Sequence, residues 1–255
     1  MENAVLVGLS RQVALHRELE IVANNIANLN TTGFKGHGAL FEQYMMPVAR
    51  DNQFTGADSR LNFVQDRATW LDLSQGAVQQ TGNPLDVAVD GQGFLVVQTP
   101  RGERYTRNGA LQINATGELV TSEGYSVIGE SGPITFQNTD RDITVNPDGS
   151  IRVREGSAAT ADSSRGKFRV VDFERPQQLK KDGSSTFMAE GNVQPRAASE
   201  SRVVQGAVEK SNVQGVLEMT RLIEVSRSYS EVAAILQQQG EMRRDVVTRL
   251  AEVPA

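Results

Sequence analysis

Leu85-Asp86-Val87-Ala88-Val89-Asp90-Gly91-Gln92-Gly93-Phe94-Leu95-Val96-Val97 is the stretch whose reading decides the fold. Leu85, Val87 and Val89 alternate with Asp86, Ala88 and Asp90, the period-two pattern of a strand with one apolar and one polar face. Gly91-Gln92-Gly93 then turns the chain into an uninterrupted apolar run, and the spacing predicts a tight hairpin. A phosphate-binding loop also places glycines after a strand, but position 96 is Val where the third glycine would stand. No helical pattern follows, so a dinucleotide site is not supported.

Outward from this stretch the pattern stays β. Short strands are expected around Tyr105, Leu119-Val120, Val127-Ile128, Ile134–Phe136, Ile143–Val145, Ile151–Val153 and Phe168–Phe173, each set off by Gly, Pro, Asn or Asp. Asp148-Gly149 signals a two-residue hairpin, and Glu155–Gly166 reads as an exposed loop. Thirteen of the 14 aromatic residues and 19 of the 23 glycines lie between Gly33 and Gly191, whereas residues 1–46 and 196–253 contain no proline. The middle is therefore a turn-rich β region and the two ends are helical.

In the N-terminal segment Leu15, Leu19, Val22, Ile26 and Leu29 recur with spacings of four and three, the seam of a coiled coil. Leu6, Leu9 and Val13 form a second seam elsewhere around that helix. Near the C-terminus Leu222, Val225, Tyr229, Val232 and Leu236 keep the same register, continuing through Gln239 and Arg243 to Val246 and Leu250. This helix is expected to start near Ser211-Asn212, where either side chain could cap it. The expected fold class is α+β, with long N- and C-terminal helices forming a coiled-coil-like assembly domain and a central β-rich domain. The expected divisions are residues 1–33 with 205–255 as the helical assembly domain, 34–82 with 190–204 as a connecting region, and 83–189 as a β-rich outer domain.

Composition excludes several function classes. The 255 residues carry a formal net charge of −5 and no basic run, which argues against binding nucleic acid through phosphate neutralisation. Cysteine is absent, so disulfides, thiolate nucleophiles and Cys-ligated zinc are excluded. No apolar run approaches the 18 or so residues of a membrane span, and membrane insertion is not expected. The chain opens Met1-Glu2-Asn3 and its first basic residue is Arg11, so no cleaved secretory signal is expected and export would need another route.

Candidate chemistry is equally thin. His16 and His37 are the two histidines, and neither has an acidic pair at ligand spacing, so no metal site is expected. Asp86 and Asp90 share a strand face, which reads as polar surface rather than a carboxylate pair around a substrate. Ser164-Arg165-Gly166-Lys167 has the Ser-x-x-Lys spacing of penicillin-recognising enzymes, but Gly166 breaks the helical turn that the geometry requires. Neither catalytic residues nor a cofactor are expected.

The unusual feature is Ala23-Asn24-Asn25-Ile26-Ala27-Asn28-Leu29-Asn30-Thr31-Thr32-Gly33-Phe34-Lys35. Its asparagines are poor helix formers, yet an apolar seam runs through them. Their amides suit hydrogen bonding beside a packed interface or termination of the helix, with Gly33 as a left-handed stop and Thr31 and Thr32 satisfying nearby backbone groups. Leu15, Leu19, Val22, Asn24, Asn25, Ile26, Asn28, Leu29, Leu222, Val225, Tyr229, Val232 and Leu236 are the candidate assembly interface. Thr31, Thr32 and Gly33 are the candidate helix-terminating junction.

Ala23–Lys35 resembles the N-terminal signature of the bacterial flagellar rod and hook proteins. Pro84–Phe94, Tyr105-Thr106-Arg107-Asn108-Gly109, and Gly117–Thr121 with Gly124 resemble that family's central blocks. Ser211-Asn212-Val213, Glu218-Met219 and Arg227-Ser228-Tyr229 are similar to its C-terminal signature. The opening Val7–Gln12, Thr81–Asp86 and Phe173–Leu179 resemble the proximal rod members, with the distal rod members as the nearest alternative.

The resemblance implies a structural subunit of the drive shaft that crosses the periplasm, transmits torque and surrounds the export channel. It implies partners among other rod proteins and neighbouring copies in a helical tube, the flagellar type III export apparatus, and possible contact with basal-body ring proteins. A secreted cell-wall-acting enzyme is the rival class, and the sequence offers it neither clustered acids nor a nucleophile with a base.

Overall fold

Strand Phe94–Thr99 lies at the centre of the β region because both its faces are buried. Phe94 and Val96 enter one apolar cluster with Leu71, Tyr105, Val171, Phe173, Leu179 and Phe187. Leu95 and Val97 enter the opposite cluster with Val87, Val89, Leu119, Val127, Ile151 and Val203. The continuous apolar run is thus a strand feeding two cores by simple alternation. The coordinates are a computed structural model that describes residues 2–46, 61–156, 162–183, 185–191 and 193–251.

The large sheet runs, in spatial order, through strands Leu179–Lys181, Thr186–Ala189, Gly102–Thr106, Phe94–Thr99, Ser126–Gly129, Leu119–Thr121 and Leu111–Ile113, every neighbouring pair antiparallel. Val170–Asp172 also pairs with Phe94–Thr99. A three-stranded sheet of Asp140–Val145, Ser150–Glu155 and Asp162–Lys167 packs Val145, Ile151 and Val153 into the second cluster. Edge-to-face contacts of Phe94 with Phe173 and Phe187, at 5.9 and 5.7 Å between centroids, fill the first.

Four local expectations are corrected. Gly91–Gly93 does not join a hairpin: Val87–Asp90 pairs with Arg202–Gln205, so the glycine turn is a corner between two sheets. The Asp148-Gly149 turn has three residues, with Asn146 N–H donating to Ser150 O and Gly149 N–H to Asn146 O, each at 2.9 Å. Ile134–Phe136 supplies a single bridge, Thr135 to Glu118, instead of a strand. Within the expected loop Glu155–Gly166, residues from Asp162 on form a strand, while residues 157–161 lie outside the described residues.

The chain divides into two compact units, one of residues 28–36 and 71–213 and one of residues 1–27, 37–70 and 214–255. The first is the β region. The second contains α1 (Glu2–Ala27), a two-stranded sheet of His37–Met46 with Leu61–Leu71 up to its boundary at Trp70, and α2 (Gly215–Ala251). The helices run antiparallel: Gly8 lies against Leu236, Gln12 Nε2 donates to the Tyr229 hydroxyl at 3.2 Å, and Arg221 donates to Glu18 Oε1 at 2.7 and 2.9 Å.

The expected coiled-coil-like assembly domain does not form, although the α+β composition holds in part. Among the described residues there are two α-helices, one at each end, and a large β-rich region lies between them in sequence. The face that α1 buries is Ala14, Ile21, Val22 and Asn25; of the expected row Leu15, Leu19, Val22, Ile26 and Leu29 it takes in Val22, and the other four are half-buried. On α2 only Val225 of the expected row is buried, with Leu222, Tyr229, Val232 and Leu236 half-buried. A coiled-coil seam buries both of its alternate positions along the helix, and here most positions of both rows stay half-buried. The side chain of Leu250 lies outside the described residues.

Candidate functional site

The segment after α1 threads into the β region and is held there residue by residue. Thr31 Oγ1 donates to Asn28 Oδ1 at 3.1 Å, closing a local turn. Thr32 Oγ1 donates to Asn108 Oδ1 at 2.7 Å. Gly33 N–H donates to the Glu209 carbonyl at 2.8 Å with φ at +67°. A Cβ on Gly33 would stand 2.4 Å from both Arg107 C and Asn108 N, so its backbone lies directly on theirs. Phe34 is fully buried beneath Lys181, whose Nζ is 3.6 Å above the ring centroid. Burial lowers the Lys181 amine to about 8.

Lys35 completes the segment and carries the electrostatics. Its side chain is 0% exposed, as is that of Glu209, and that of Arg107 is 2% exposed. Lys35 Nζ donates to Glu209 Oε1 at 2.5 Å and to Ser74 O at 2.6 Å. Gly76 N–H donates to the same carboxylate oxygen at 2.9 Å, and Arg107 Nη1 reaches Glu209 Oε2 at 3.2 Å. Arg107 Nη2 donates to Gly91 O at 2.7 Å, and its guanidinium lies 4.8 Å from the Phe94 ring centroid. Burial pushes both cations below their ordinary values, opposed chiefly by the Glu209 carboxylate. Two buried cations share the one Glu209 carboxylate, and the backbone carbonyls Ser74 O and Gly91 O take further hydrogen bonds from them, which offsets part of the cost of removing these charges from water.

Asn212 closes the other side. Its Oδ1 accepts Gly36 N–H at 2.8 Å, and its Nδ2 donates to Asp72 O at 2.9 Å and Ser74 O at 3.2 Å. It does not cap α2, which begins at Gly215. In the helical unit Asn25, buried, makes an analogous pair with His37, donating to its carbonyl and accepting its N–H, both at 2.9 Å. Asparagine amides here replace the paired groups of a neighbouring strand, which suits them to a chain that is leaving a helix.

The structure gathers Thr32, Gly33, Lys35, Arg107, Asn108, Glu209 and Asn212 into one joint. Of the expected interface residues, Val22, Asn25 and Val225 are buried, while Leu15, Leu19, Ile26, Asn28, Leu29, Leu222, Tyr229, Val232 and Leu236 are half-buried and Asn24 is exposed. Asp86 accepts from Thr81 Oγ1 and Asn83 Nδ2, making it a turn anchor. Sequence reasoning missed Lys35, Arg107 and Glu209 as a unit. The available signal was charged residues inside otherwise apolar or glycine-bounded strands, as at Ala207-Val208-Glu209. The joint's ionic groups bond to one another and to backbone of Ser74, Gly76 and Gly91, with Arg107 Nε left without a partner among the described residues, an arrangement that holds chain segments together.

The same segments are those that match known families. Residues 6–35 match a model described as flagella basal body rod protein, residues 88–153 the flagellar hook protein FlgE/F/G D1 domain, and residues 204–250 the flagellar basal body rod FlgEFG protein C-terminal region. The flagellar basal-body rod protein FlgF of Caulobacter vibrioides is 38% identical, with 99% of this chain and 100% of that protein covered. The chain belongs to the flagellar basal-body rod protein family. FlgF of Mesorhizobium japonicum is 32% identical over 98% of each chain, and FlgG of Agrobacterium fabrum is 33% identical over 94% of this chain and 96% of that one.

Each of the three matched stretches of this rod protein supplies one member of the buried triad: Lys35, Arg107 and Glu209. The protein is a structural subunit of the flagellar basal-body rod, not an enzyme, and works among other rod and flagellar proteins. Among the described residues no helix is long and apolar enough to cross a membrane.

Proposed function

We propose that this rod subunit builds the proximal part of a periplasm-crossing drive shaft, transmitting torque and enclosing the export channel. The observation that carries this reading is apolar surface on both helices that is exposed among the described residues. Leu6, Leu9 and Val13 of α1 are about half exposed or more, at 51, 48 and 61%, and Val216, Leu217, Ile223, Ile235 and Val247 of α2 are exposed as well. Burying a side chain of this size is worth roughly 1.5–3 kcal/mol, a gain that neighbouring copies in a helical tube would collect at every repeat.

In this reading the terminal regions, residues 1–33 and 205–255, form the tube wall through Leu15, Leu19, Val22, Asn24–Ile26, Asn28 and Leu29 against Leu222, Val225, Tyr229, Val232 and Leu236. Residues 34–82 with 190–204 connect, and residues 83–189 face outward. Thr31, Thr32 and Gly33, expected as the helix-terminating junction, lie four to six residues past the end of α1 at Ala27, and in this reading they fix the chain where it enters the β region. Other rod proteins lie above and below, basal-body ring proteins are possible lateral contacts, and the type III export apparatus delivers the chain without signal cleavage. The likeness to FlgG relatives favours a distal-rod position as the second reading. Site-specific crosslinking from Leu9 and Ile235 in intact basal bodies tests the proposal. Crosslinks to rod subunits support it, and crosslinks confined to non-flagellar proteins overturn it.

A further inference from the structure

Asn108-Gly109 is the one Asn-Gly pair in the chain. In that dipeptide the following residue has no side chain to keep its nitrogen away from the asparagine carboxamide. Here the carboxamide is held. Its Oδ1 accepts from Thr32 Oγ1 at 2.7 Å and Ala110 N–H at 3.1 Å, its Nδ2 lies 3.4 Å from Ser122 Oγ, and the residue is 4% exposed. Gly109 is equally constrained, with its carbonyl accepting Val87 N–H at 2.9 Å and a Cβ position that would fall 1.6 Å from Val87 O. The part of this enclosure most distant in sequence is the segment carrying Thr32 and Gly33, with Thr32 76 residues from Asn108.

We propose that Asn108-Gly109 is a self-modification site, an intramolecular deamidation centre gated by the docked segment 28–36. When that segment leaves, the Gly109 nitrogen bonds to Asn108 Cγ, the Cγ–Nδ2 bond breaks, and Nδ2 departs as ammonia with the proton lost by the Gly109 nitrogen. Water then opens the resulting five-membered imide. Attack at Cγ yields aspartate, and attack at the backbone carbonyl yields the iso-aspartyl linkage. Aspartate fits the joint, because Thr32 and Ala110 already donate to Oδ1 and the Ser122 hydroxyl can turn to donate. The iso-aspartyl product adds a methylene to a backbone pressed against Val87 O, and the joint cannot close over it. A subunit left undocked is thereby marked irreversibly, whereas a docked one is protected.

The test follows full-length protein in mildly alkaline buffer at physiological temperature, with conversion at residue 108 read by peptide mass spectrometry and iso-aspartyl assay. Native protein should convert roughly 100-fold more slowly than the same protein in denaturing urea. Thr32→Val, which removes the hydroxyl, should convert about ten-fold faster than native protein, and Thr32→Ser should match it. Asn108→Asp should fold normally and release no ammonia at residue 108, because it lacks the carboxamide nitrogen; ammonia release from it at the rate of the native protein would overturn the assignment to this residue. Equal rates in native and denaturing buffer overturn the proposal, as does a Thr32→Val rate equal to the native one with undisturbed circular dichroism. If Thr32→Val fails to fold, urea below the unfolding transition replaces it. Conversion that rises there supports a local gate, and conversion that tracks global unfolding alone overturns it.

Discussion

Asn212 and Gly36 lie 176 residues apart in sequence and meet in one hydrogen bond, Gly36 N–H to Asn212 Oδ1 at 2.8 Å. The same amide donates to Asp72 O and Ser74 O, so a single side chain ties together three separate stretches of backbone. Asn212→Ala should cost about 1–3 kcal/mol, because a backbone donor and carbonyls that it satisfied lose their partner. Asn212→Asp should cost at least as much at neutral pH, where a carboxylate faces two carbonyl oxygens. Its deficit should shrink near pH 3 to 4, where the protonated acid donates again. Urea unfolding of the three proteins at the two pH values measures both effects.

The buried triad makes a sharper claim. Removing Lys35 leaves Glu209 with Arg107 and the Gly76 amide, and breaking a buried pair from one side costs about 3–5 kcal/mol. Lys35→Met and Glu209→Gln should each be strongly destabilising, and the double variant should be well short of their sum. A double-mutant cycle by urea unfolding reads the coupling directly, and additive losses would show that the contact carries no net interaction.

Gly33 is distinguishable from a glycine needed only for backbone freedom. Asn tolerates positive φ better than most residues, so at Gly82, with φ +75° and open space around its Cβ position, Gly82→Asn should cost no more than about 1 kcal/mol. At Gly33 the same substitution drives a Cβ to 2.4 Å from backbone atoms of Arg107 and Asn108, which are not free to move aside. Gly33→Asn should therefore be the more damaging by at least about 2 kcal/mol, comparable with overpacking a core. Thermal unfolding of both variants decides between conformation and close approach.

How much of this was legible in the sequence depends on the range of each interaction. Alternation in Leu85–Val89 identified a strand, because period two is a local property. Its partner, Arg202–Gln205, lies more than a hundred residues away, and nothing local distinguishes a hairpin from a corner at Gly91–Gly93. The helical period was readable but its phase only in part: Leu15 and Ala14 both sit on plausible stripes, and the folded chain buries Ala14 while Leu15 is half-buried. Lys35 and Arg107 stood inside quoted motifs, yet their pairing runs through Glu209, 174 and 102 residues away, and emerges only from the fold.

Acid should loosen the three-stranded sheet first. Arg165 donates to both oxygens of Asp140 at 2.6 and 2.7 Å, and those bonds hold the Asp140 carboxyl below its ordinary value of 3.8. A carboxylate whose folded pKa is depressed stabilises the fold above its unfolded pKa, and that contribution disappears as pH falls through the folded pKa. Stability should thus be level from neutral down to about pH 4 to 5 and fall below it. Asp140→Asn should lower stability at neutral pH and flatten the acid limb, as measured by urea midpoints across that window. An unchanged acid limb would assign the effect to other carboxylates, with Asp182 beside Arg104 and Arg101 the next to test.

The assembly reading is best tested by neighbouring positions on α2. Ile235 is 56% exposed, while Leu236 packs against Gly8 of α1, where a Cβ added to the glycine would lie 2.7 Å from Leu236 Cδ2. One residue of helix rotates a side chain by about 100°, so the two positions probe different partners at the same height. Leu236→Glu places a carboxylate against the chain's own other helix and should lower the monomer's melting temperature as well as rod incorporation. Ile235→Glu replaces an exposed side chain that the assembly reading covers with another subunit, so it should leave monomer melting unchanged and still abolish incorporation into basal bodies and swimming. Ile235→Leu keeps the apolar surface and should assemble normally. Normal motility with Ile235→Glu would remove this face of α2 from the rod wall. Lowered melting in that variant would instead assign Ile235 to the monomer's own packing.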